Sequence, residues 1–155
     1  MVKIQYHVKH SARINAPADR VYAIIADYRN GHPNILPAAF RNFVVEQGGR
    51  GEGTLTRFDV RAFGRTQSFR HEVIEPEPGR VLVERDRDLG SRTIFTVEPA
   101  TPGSTVTIRT ELTSRGGLSG RLERFLSTRF LLGLYREELK KLEEVVALQN
   151  LAHDS

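Results

Sequence analysis

A long helical segment at the C-terminal end constrains the fold of this chain more than any other feature. Over residues 118–150, apolar side chains recur at helical spacing in the C-terminal half (Tyr135, Leu139, Leu142 and Val146) and cover a wider arc in the N-terminal half. A helix of about 30 residues is ~45 Å long, which is more than a local contact in a small domain requires. The pattern therefore predicts a helix that lies across a whole sheet.

The residues before this helix predict the sheet. Residues 3–14 are predicted to form a strand, and Pro17 suits the first position of a short helix. Residues 34–37 are predicted to form one further helical turn. From residue 39 to residue 112 the apolar pattern fits six strands separated by turns at intervals of about 10–13 residues, which is typical of an antiparallel meander. Alternation is clearest over residues 54–62, where one face is apolar and the other charged.

The chain has 155 residues, the length of one domain, and it shows no internal repeat or linker. We therefore expect a single α+β domain over residues 1–155. Its strongly curved antiparallel sheet of about seven strands wraps around the C-terminal helix, with two short helices after the first strand.

Composition excludes several kinds of site. The chain contains no cysteine, which excludes disulfides, a thiol nucleophile, a cysteine zinc site and an iron–sulfur cluster. The glycine-rich residues 48–53 lack dinucleotide-loop spacing, and the histidines show no metal-ligand clustering (His7, His10, His32, His71 and His153). No apolar run approaches the ~20 residues that span a bilayer, and no secretory signal is visible. We expect neither cofactor nor metal, and a cytoplasmic location.

The charge does not indicate nucleic-acid binding. The net charge is +4, but the 19 arginines and 4 lysines are interleaved with acidic residues and no nucleic-acid-reading motif accompanies them. The densest basic region lies on or before the last helix, where Glu123, Glu137 and Glu138 complete what reads as a solvated helix face. We expect no nucleic-acid partner.

Several motifs resemble one family. Residues 14–28 resemble its "I-x-A-P-x-x-V-(W/Y/F)-x-x-(I/L)-x-D" opening, residues 72–81 its strand–turn–strand, and residues 95–107 its last hairpin. On these motifs the chain resembles the SRPBCC superfamily, the helix-grip fold of START lipid-binding domains and birch-pollen-allergen proteins. Within that superfamily it looks most like the polyketide cyclase/dehydrase group. It differs at Tyr28, where many relatives have a tryptophan–proline pair, and it contains no tryptophan.

The resemblance implies a ligand cavity between the sheet and the last helix. Strand parity then assigns an inner wall of mostly apolar side chains with a few hydroxyls and one imidazole, which suits an apolar or aromatic small molecule. The expected wall residues are Thr56, Phe58, Val60, Phe69, His71, Thr93, Phe95, Thr110 and Leu112. The expected lid residues are Tyr28, His32, Ile35, Leu36, Phe125, Phe130, Leu132 and Gly133. The alternative is that these side chains simply fill the core.

Two residues suggest specific chemistry. His71 shares parity with Phe69 and would face the cavity, where it could act as a general base; the alternative is a buried structural histidine. Arg85 would face inward if Val81 and Val83 do, and it could then pair with a ligand carboxylate. A register shift of one residue would instead place Arg85 in solvent.

Three function classes follow. The first is a carrier or sensor that binds an apolar or aromatic small molecule, and it requires only the cavity. The second is an enzyme of the polyketide cyclase/dehydrase type that acts on a bound polyketide or aromatic substrate, with His71, Tyr28 or Tyr135 near a bound carbonyl. The third is a protein-interaction module of the coenzyme-Q-binding or co-chaperone type. In each case we expect a monomer or a weak homodimer.

Overall fold

In the computed structural model, which describes residues 2–155, a seven-stranded antiparallel sheet packs against a long C-terminal helix. The strands are β1 (Lys3–Ile14), β2 (Phe40–Gln47), β3 (Leu55–Ala62), β4 (Arg65–Glu77), β5 (Val81–Asp86), β6 (Arg92–Pro99) and β7 (Ser104–Arg115). The helices are α1 (Ala18–Ala26), a short 3₁₀ helix (His32–Asn34) and α2 (Gly117–His153). This architecture confirms the predicted helix-grip fold.

Strands that are consecutive in the sequence are neighbours in the sheet, except for β1 and β2. The order of the sheet is β1-β7-β6-β5-β4-β3-β2, so the first strand pairs with the last and the other strands form a meander. Because β1 and β2 lie at opposite edges, the sheet is not closed. The helix α2 packs against β1 and β7, and α1 packs against β6 and β7.

The helix α1 begins at Ala18, one residue after the predicted first position, and Pro17 is its N-cap. The amide of Val21 donates to the Pro17 carbonyl at 3.1 Å, which closes the first helical turn. Proline suits this boundary because it has no amide hydrogen to leave unpaired. The apolar side chains of Val21, Ile24 and Ile25 on α1 are buried in the core.

The two halves of α2 have different roles. In the C-terminal half Leu139, Leu142 and Val146 are buried in the core. In the N-terminal half Leu118 and Phe125 are 83% and 57% exposed. The main core therefore lies beside α1 and the C-terminal half of α2, and the sheet under the N-terminal half is less tightly covered. Among residues 2–155, no helix combines the length and the apolar composition that crossing a bilayer requires.

Candidate functional site

A cavity of about 770 Å³ lies between the inner face of the sheet and α2. Its lining includes all nine side chains that strand parity assigned to the inner wall, namely Thr56, Phe58, Val60, Phe69, His71, Thr93, Phe95, Thr110 and Leu112. Period-2 alternation predicted these positions because the pleat directs every second side chain toward the helix. The cavity shows that these residues do not simply fill the core.

The predicted lid is only partly correct. His32, Leu36 and Phe130 line the cavity. The other five side chains do not (Tyr28, Ile35, Phe125, Leu132 and Gly133). Tyr28 and Ile35 are each 1% exposed and lie behind the lining, while Phe125 points to solvent. The residues of α2 that line the cavity are Glu123, Ser127, Phe130, Leu131, Leu134, Tyr135 and Glu138, whereas Gly133 is exposed.

The prediction that Arg85 faces the cavity is wrong. Arg85 lies on the outer face of the sheet, where it donates to Glu72 Oε2 at 2.8 Å and remains 44% exposed. Arg87 donates to both oxygens of the same carboxylate, at 2.8 and 2.6 Å. Hydrogen bonds from Arg87 and Arg85 lower the pKa of Glu72 to about 2. This is an exterior ion-pair cluster and not a ligand anchor.

The pairing of β5 with β4 shows why the prediction for Arg85 fails. His71 pairs with Asp86, and Val73 pairs with Glu84. Because directly paired residues of antiparallel strands share a face, Glu84 and Asp86 lie on the inner face and Arg85 lies on the outer one. Three consecutive apolar residues open β5, so alternation alone does not identify its inner face.

Sequence reasoning missed three carboxyl groups of the cavity lining, Glu84, Glu123 and Glu138. Glu84 enters the lining from β5, beside Thr93 on β6 and Val73 on β4. Glu138 enters from α2 and is 6% exposed, so its assignment to a solvated helix face is wrong. Glu138 lies four residues from both Leu134 and Leu142 on the buried stripe. A charged residue on an apolar helical stripe was the signal that could have identified it.

His32 lies between these two carboxyl groups. Its Nδ1 donates to the Ile25 carbonyl at 2.8 Å, because a carbonyl oxygen can only accept. Its Nε2 lies 3.5 Å from Glu84 Oε1 and 3.7 Å from Glu138 Oε1. The ring stacks on Tyr28 with centroids 4.5 Å apart, and the Tyr28 hydroxyl donates to Glu84 Oε1 at 2.6 Å. Tyr28 therefore positions the cluster from behind the cavity wall.

His71 faces the cavity, as its parity predicts. Its Nδ1 lies 3.6 Å from Glu84 Oε2 and its Nε2 lies 3.9 Å from Asp86 Oδ2, distances that are too long for ordinary hydrogen bonds. Among residues 2–155, the buried Nδ1 atom has no hydrogen-bond partner. The ring packs edge-on against Phe58 with centroids 4.9 Å apart. His71 therefore has a polar atom free for a ligand, although its catalytic role stays a prediction.

The environments of Glu84 and Glu138 shift their pKa values in opposite directions. Burial raises the pKa of Glu84, but the neighbouring His71 and His32 rings and the Tyr28 hydroxyl outweigh burial and lower this pKa to about 2. Burial and the negative charge of Glu84 raise the pKa of Glu138 well above its ordinary value. Glu138 therefore retains its proton at pH values at which Glu84 is ionised.

Hydroxyl groups continue the polar lining next to this cluster. The Tyr135 hydroxyl donates to Thr110 Oγ1, which lies 2.9 Å from Thr93 Oγ1 on the adjacent strand. Burial raises the pKa of Tyr135, which keeps it a neutral donor. These three residues lie on β6, β7 and α2 and link the sheet to the helix across the cavity.

The rest of the cavity is aromatic. The Phe58 ring stacks on Phe40 with centroids 4.9 Å apart and an interplanar angle of 7°. On its other side it stacks on Phe69 at 5.7 Å and 17°. Parallel rings give this wall a flat apolar surface, which suits a planar ligand.

The fold and the cavity place this molecule in the START/SRPBCC superfamily of helix-grip proteins. A family model described as "Polyketide cyclase / dehydrase and lipid transport" matches residues 5–147. The chain therefore belongs to the polyketide cyclase/dehydrase and lipid transport family, which confirms the predicted resemblance. No curated protein matches the chain significantly.

Solved structures agree with this assignment. The KanY protein, known from a solution NMR structure, is 28% identical with a TM-score of 0.83, over 92% of this chain and 98% of that one. The Zhui aromatase/cyclase from Streptomyces sp. R1128 is 17% identical with a TM-score of 0.71, over 92% and 96%. A START superfamily protein from Mycobacterium smegmatis is 17% identical with a TM-score of 0.71, over 92% and 98%. The last two similarities show the fold alone.

Proposed function

We propose that this chain binds an apolar or aromatic small molecule in the cavity between the sheet and α2. The observation that carries the proposal is a cavity of about 770 Å³ with an aromatic wall and a small polar cluster. Ligand sites are commonly 300–1,000 Å³ in volume, mostly apolar, and carry a few polar groups that orient the ligand. Membership of a family described by cyclase, dehydrase and lipid transport activities supports the same class of ligand.

A pair of matched serine substitutions on α2 tests this proposal. Ser127 lines the cavity, whereas Ser119 is exposed on the same helix. We expect Ser127→Phe to weaken binding of the neutral fluorescent probe N-phenyl-1-naphthylamine at least about tenfold, because its ring occupies volume that the probe needs. Ser119→Phe adds the same ring in solvent and should leave the dissociation constant unchanged. Fluorescence titration measures both, and equal affinities in the two variants would contradict the proposal.

The opposite pKa shifts of Glu84 and Glu138 favour a second candidate, an enzyme of the cyclase/dehydrase type. Cyclisation and dehydration of polyketides both require proton transfer at a carbon next to a carbonyl group. In this candidate the Glu84 carboxylate accepts the α-proton of a bound ketone while Glu138 donates its proton to the ketone oxygen. The product is the enol, with Glu84 protonated and Glu138 ionised, and the reverse transfer restores both groups.

Hydrogen–deuterium exchange tests this second candidate. The protein should accelerate exchange at the α-carbons of 2-tetralone in deuterated buffer, as followed by proton NMR. Glu84→Gln removes the base and should reduce the protein-catalysed rate by about 100-fold. The matched control Glu98→Gln alters a carboxylate that is 55% exposed and should leave the rate unchanged. Exchange no faster than in protein-free buffer would exclude this enzymatic role for 2-tetralone-like ketones.

A further inference from the structure

We infer that the polar end of the cavity, formed by His32, His71, Glu84 and Glu138, selects uncharged ligands that place a ketone or hydroxyl group there and rejects ligands that would place a carboxylate there. The inference rests on the proposed binding function and specifies its ligand class. It is the opposite of the sequence-based expectation that Arg85 would face the cavity and pair with a ligand carboxylate.

The charges of this polar end do not favour an anion. His32 Nε2 lies within 4 Å of both Glu84 and Glu138, and His71 approaches Glu84 and Asp86. Two imidazoles and two carboxyl groups form this end, the Asp86 carboxylate lies 3.9 Å from His71 Nε2, and no arginine or lysine is among them. A ligand carboxylate buried beside them would lose its hydration and lie next to the Glu84 carboxylate, which both imidazoles already approach within 4 Å.

The basic residue of the lining lies in a different part of the cavity. Among the described lining residues, Arg65 is the one arginine or lysine. It is exposed at the start of β4 and pairs with Ala62 at the end of β3, next to the turn between these strands. Thr56 pairs with His71 further along the same two strands, so Arg65 lies six positions along β4 from the His71 of the polar end. Arg65 therefore does not neutralise an anion held beside Glu84.

A neutral oxygen meets suitable partners at the polar end. Glu138 is 6% exposed and lines the cavity, and its carboxyl group makes no hydrogen bond within residues 2–155. Its raised pKa makes it a donor for a ketone or hydroxyl oxygen. The ionised Glu84 carboxylate can accept a hydrogen bond from a ligand hydroxyl, and the unpartnered His71 Nδ1 offers a further contact. A phenol or an enol satisfies both carboxyl groups at once.

Two ligands of nearly equal size test the inference. At pH 7.5, 2-naphthol is neutral and 2-naphthoate is an anion, and both carry the same ring system. Isothermal titration calorimetry should be run on the Arg65→Gln variant. In this variant 2-naphthoate cannot bind in the reverse orientation by pairing its carboxylate with Arg65. We expect 2-naphthol to bind at least about 30-fold more tightly than 2-naphthoate, because like charges at a buried site oppose each other.

Charge removal then assigns the preference to this cluster. Adding Glu84→Gln to the same variant should reduce the preference for 2-naphthol to less than about fivefold, because the opposing negative charge is gone. Adding Glu98→Gln instead should leave the preference unchanged, since that residue is on an exposed strand end. Binding of 2-naphthoate as tight as that of 2-naphthol, or a preference that survives Glu84→Gln, would overturn the inference alone. Failure of both naphthalenes and of N-phenyl-1-naphthylamine to bind would overturn the proposed function as well.

Discussion

A Leu142→Ala variant is expected to unfold with a free energy about 3 kcal/mol lower than that of the wild type, within the 2–5 kcal/mol typical of buried leucines. Leu142 is fully buried between α2 and the rest of the core. Its truncation removes apolar contacts and leaves a cavity that the surrounding residues fill only partly. Urea denaturation followed by circular dichroism measures the change.

The control for this variant lies on the same helix. Leu148 is 68% exposed, so Leu148→Ala should change the free energy of unfolding by less than about 0.5 kcal/mol. If both variants lose the same stability, the loss at Leu142 does not arise from packing in the core. A loss below about 1 kcal/mol for Leu142→Ala would contradict the view that the C-terminal half of α2 anchors the fold.

Glu84→Gln is expected to destabilise the protein at pH 7 by an amount on the order of 3 kcal/mol. The folded state lowers the pKa of Glu84 from 4.5 to about 2, so the ionised group stabilises the native state above pH 4.5. This contribution is lost as the pH falls from 4.5 toward 2. The difference between wild type and variant should therefore shrink over that interval in urea unfolding curves, and a pH-independent difference would contradict this account.

Glu138→Gln should have the opposite effect. The folded state raises the pKa of Glu138 above 4.5, so a proton must leave on unfolding once the pH exceeds 4.5. Between 4.5 and the raised pKa, this release lowers the stability of the wild type by about 1.4 kcal/mol for each pH unit. The variant lacks this penalty and should gain stability relative to the wild type as the pH rises. A variant less stable than the wild type at pH 7 would show that Glu138 is ionised in the native state.

The sequence allowed prediction of most of the fold for identifiable reasons. The helical spacing of apolar residues along α2 and the alternation of residues 54–62 are local patterns. Turns at regular intervals indicate that consecutive strands are antiparallel. The cavity wall followed from the same alternation, which is why Phe58, Thr93 and Thr110 were placed correctly. These properties depend on neighbours a few residues apart, and the sequence displays them directly.

The chemistry of the polar end was less accessible from sequence. The inward orientation of Glu84 depends on its pairing with Val73 on β4, and the apolar run Val81–Val83 hides the inner face of β5. The contact of Glu84 with His32 joins residues 52 positions apart. Tyr28 was expected in the lining, but it acts behind His32 by holding both that ring and Glu84. Such arrangements arise from tertiary packing, so strand parity and helical spacing do not specify them.

The most direct test of the binding cavity is an NMR titration of isotopically labelled protein with 2-naphthol. The account predicts saturable chemical-shift changes that are largest at cavity residues such as Phe58, Thr93, Phe95 and Thr110. Resonances of Leu148 and Leu151, which are exposed near the end of α2, should not change. Changes confined to the exposed residues Leu118, Leu122 and Phe125, or no saturable change at all, would contradict the claim that the cavity binds an aromatic ligand.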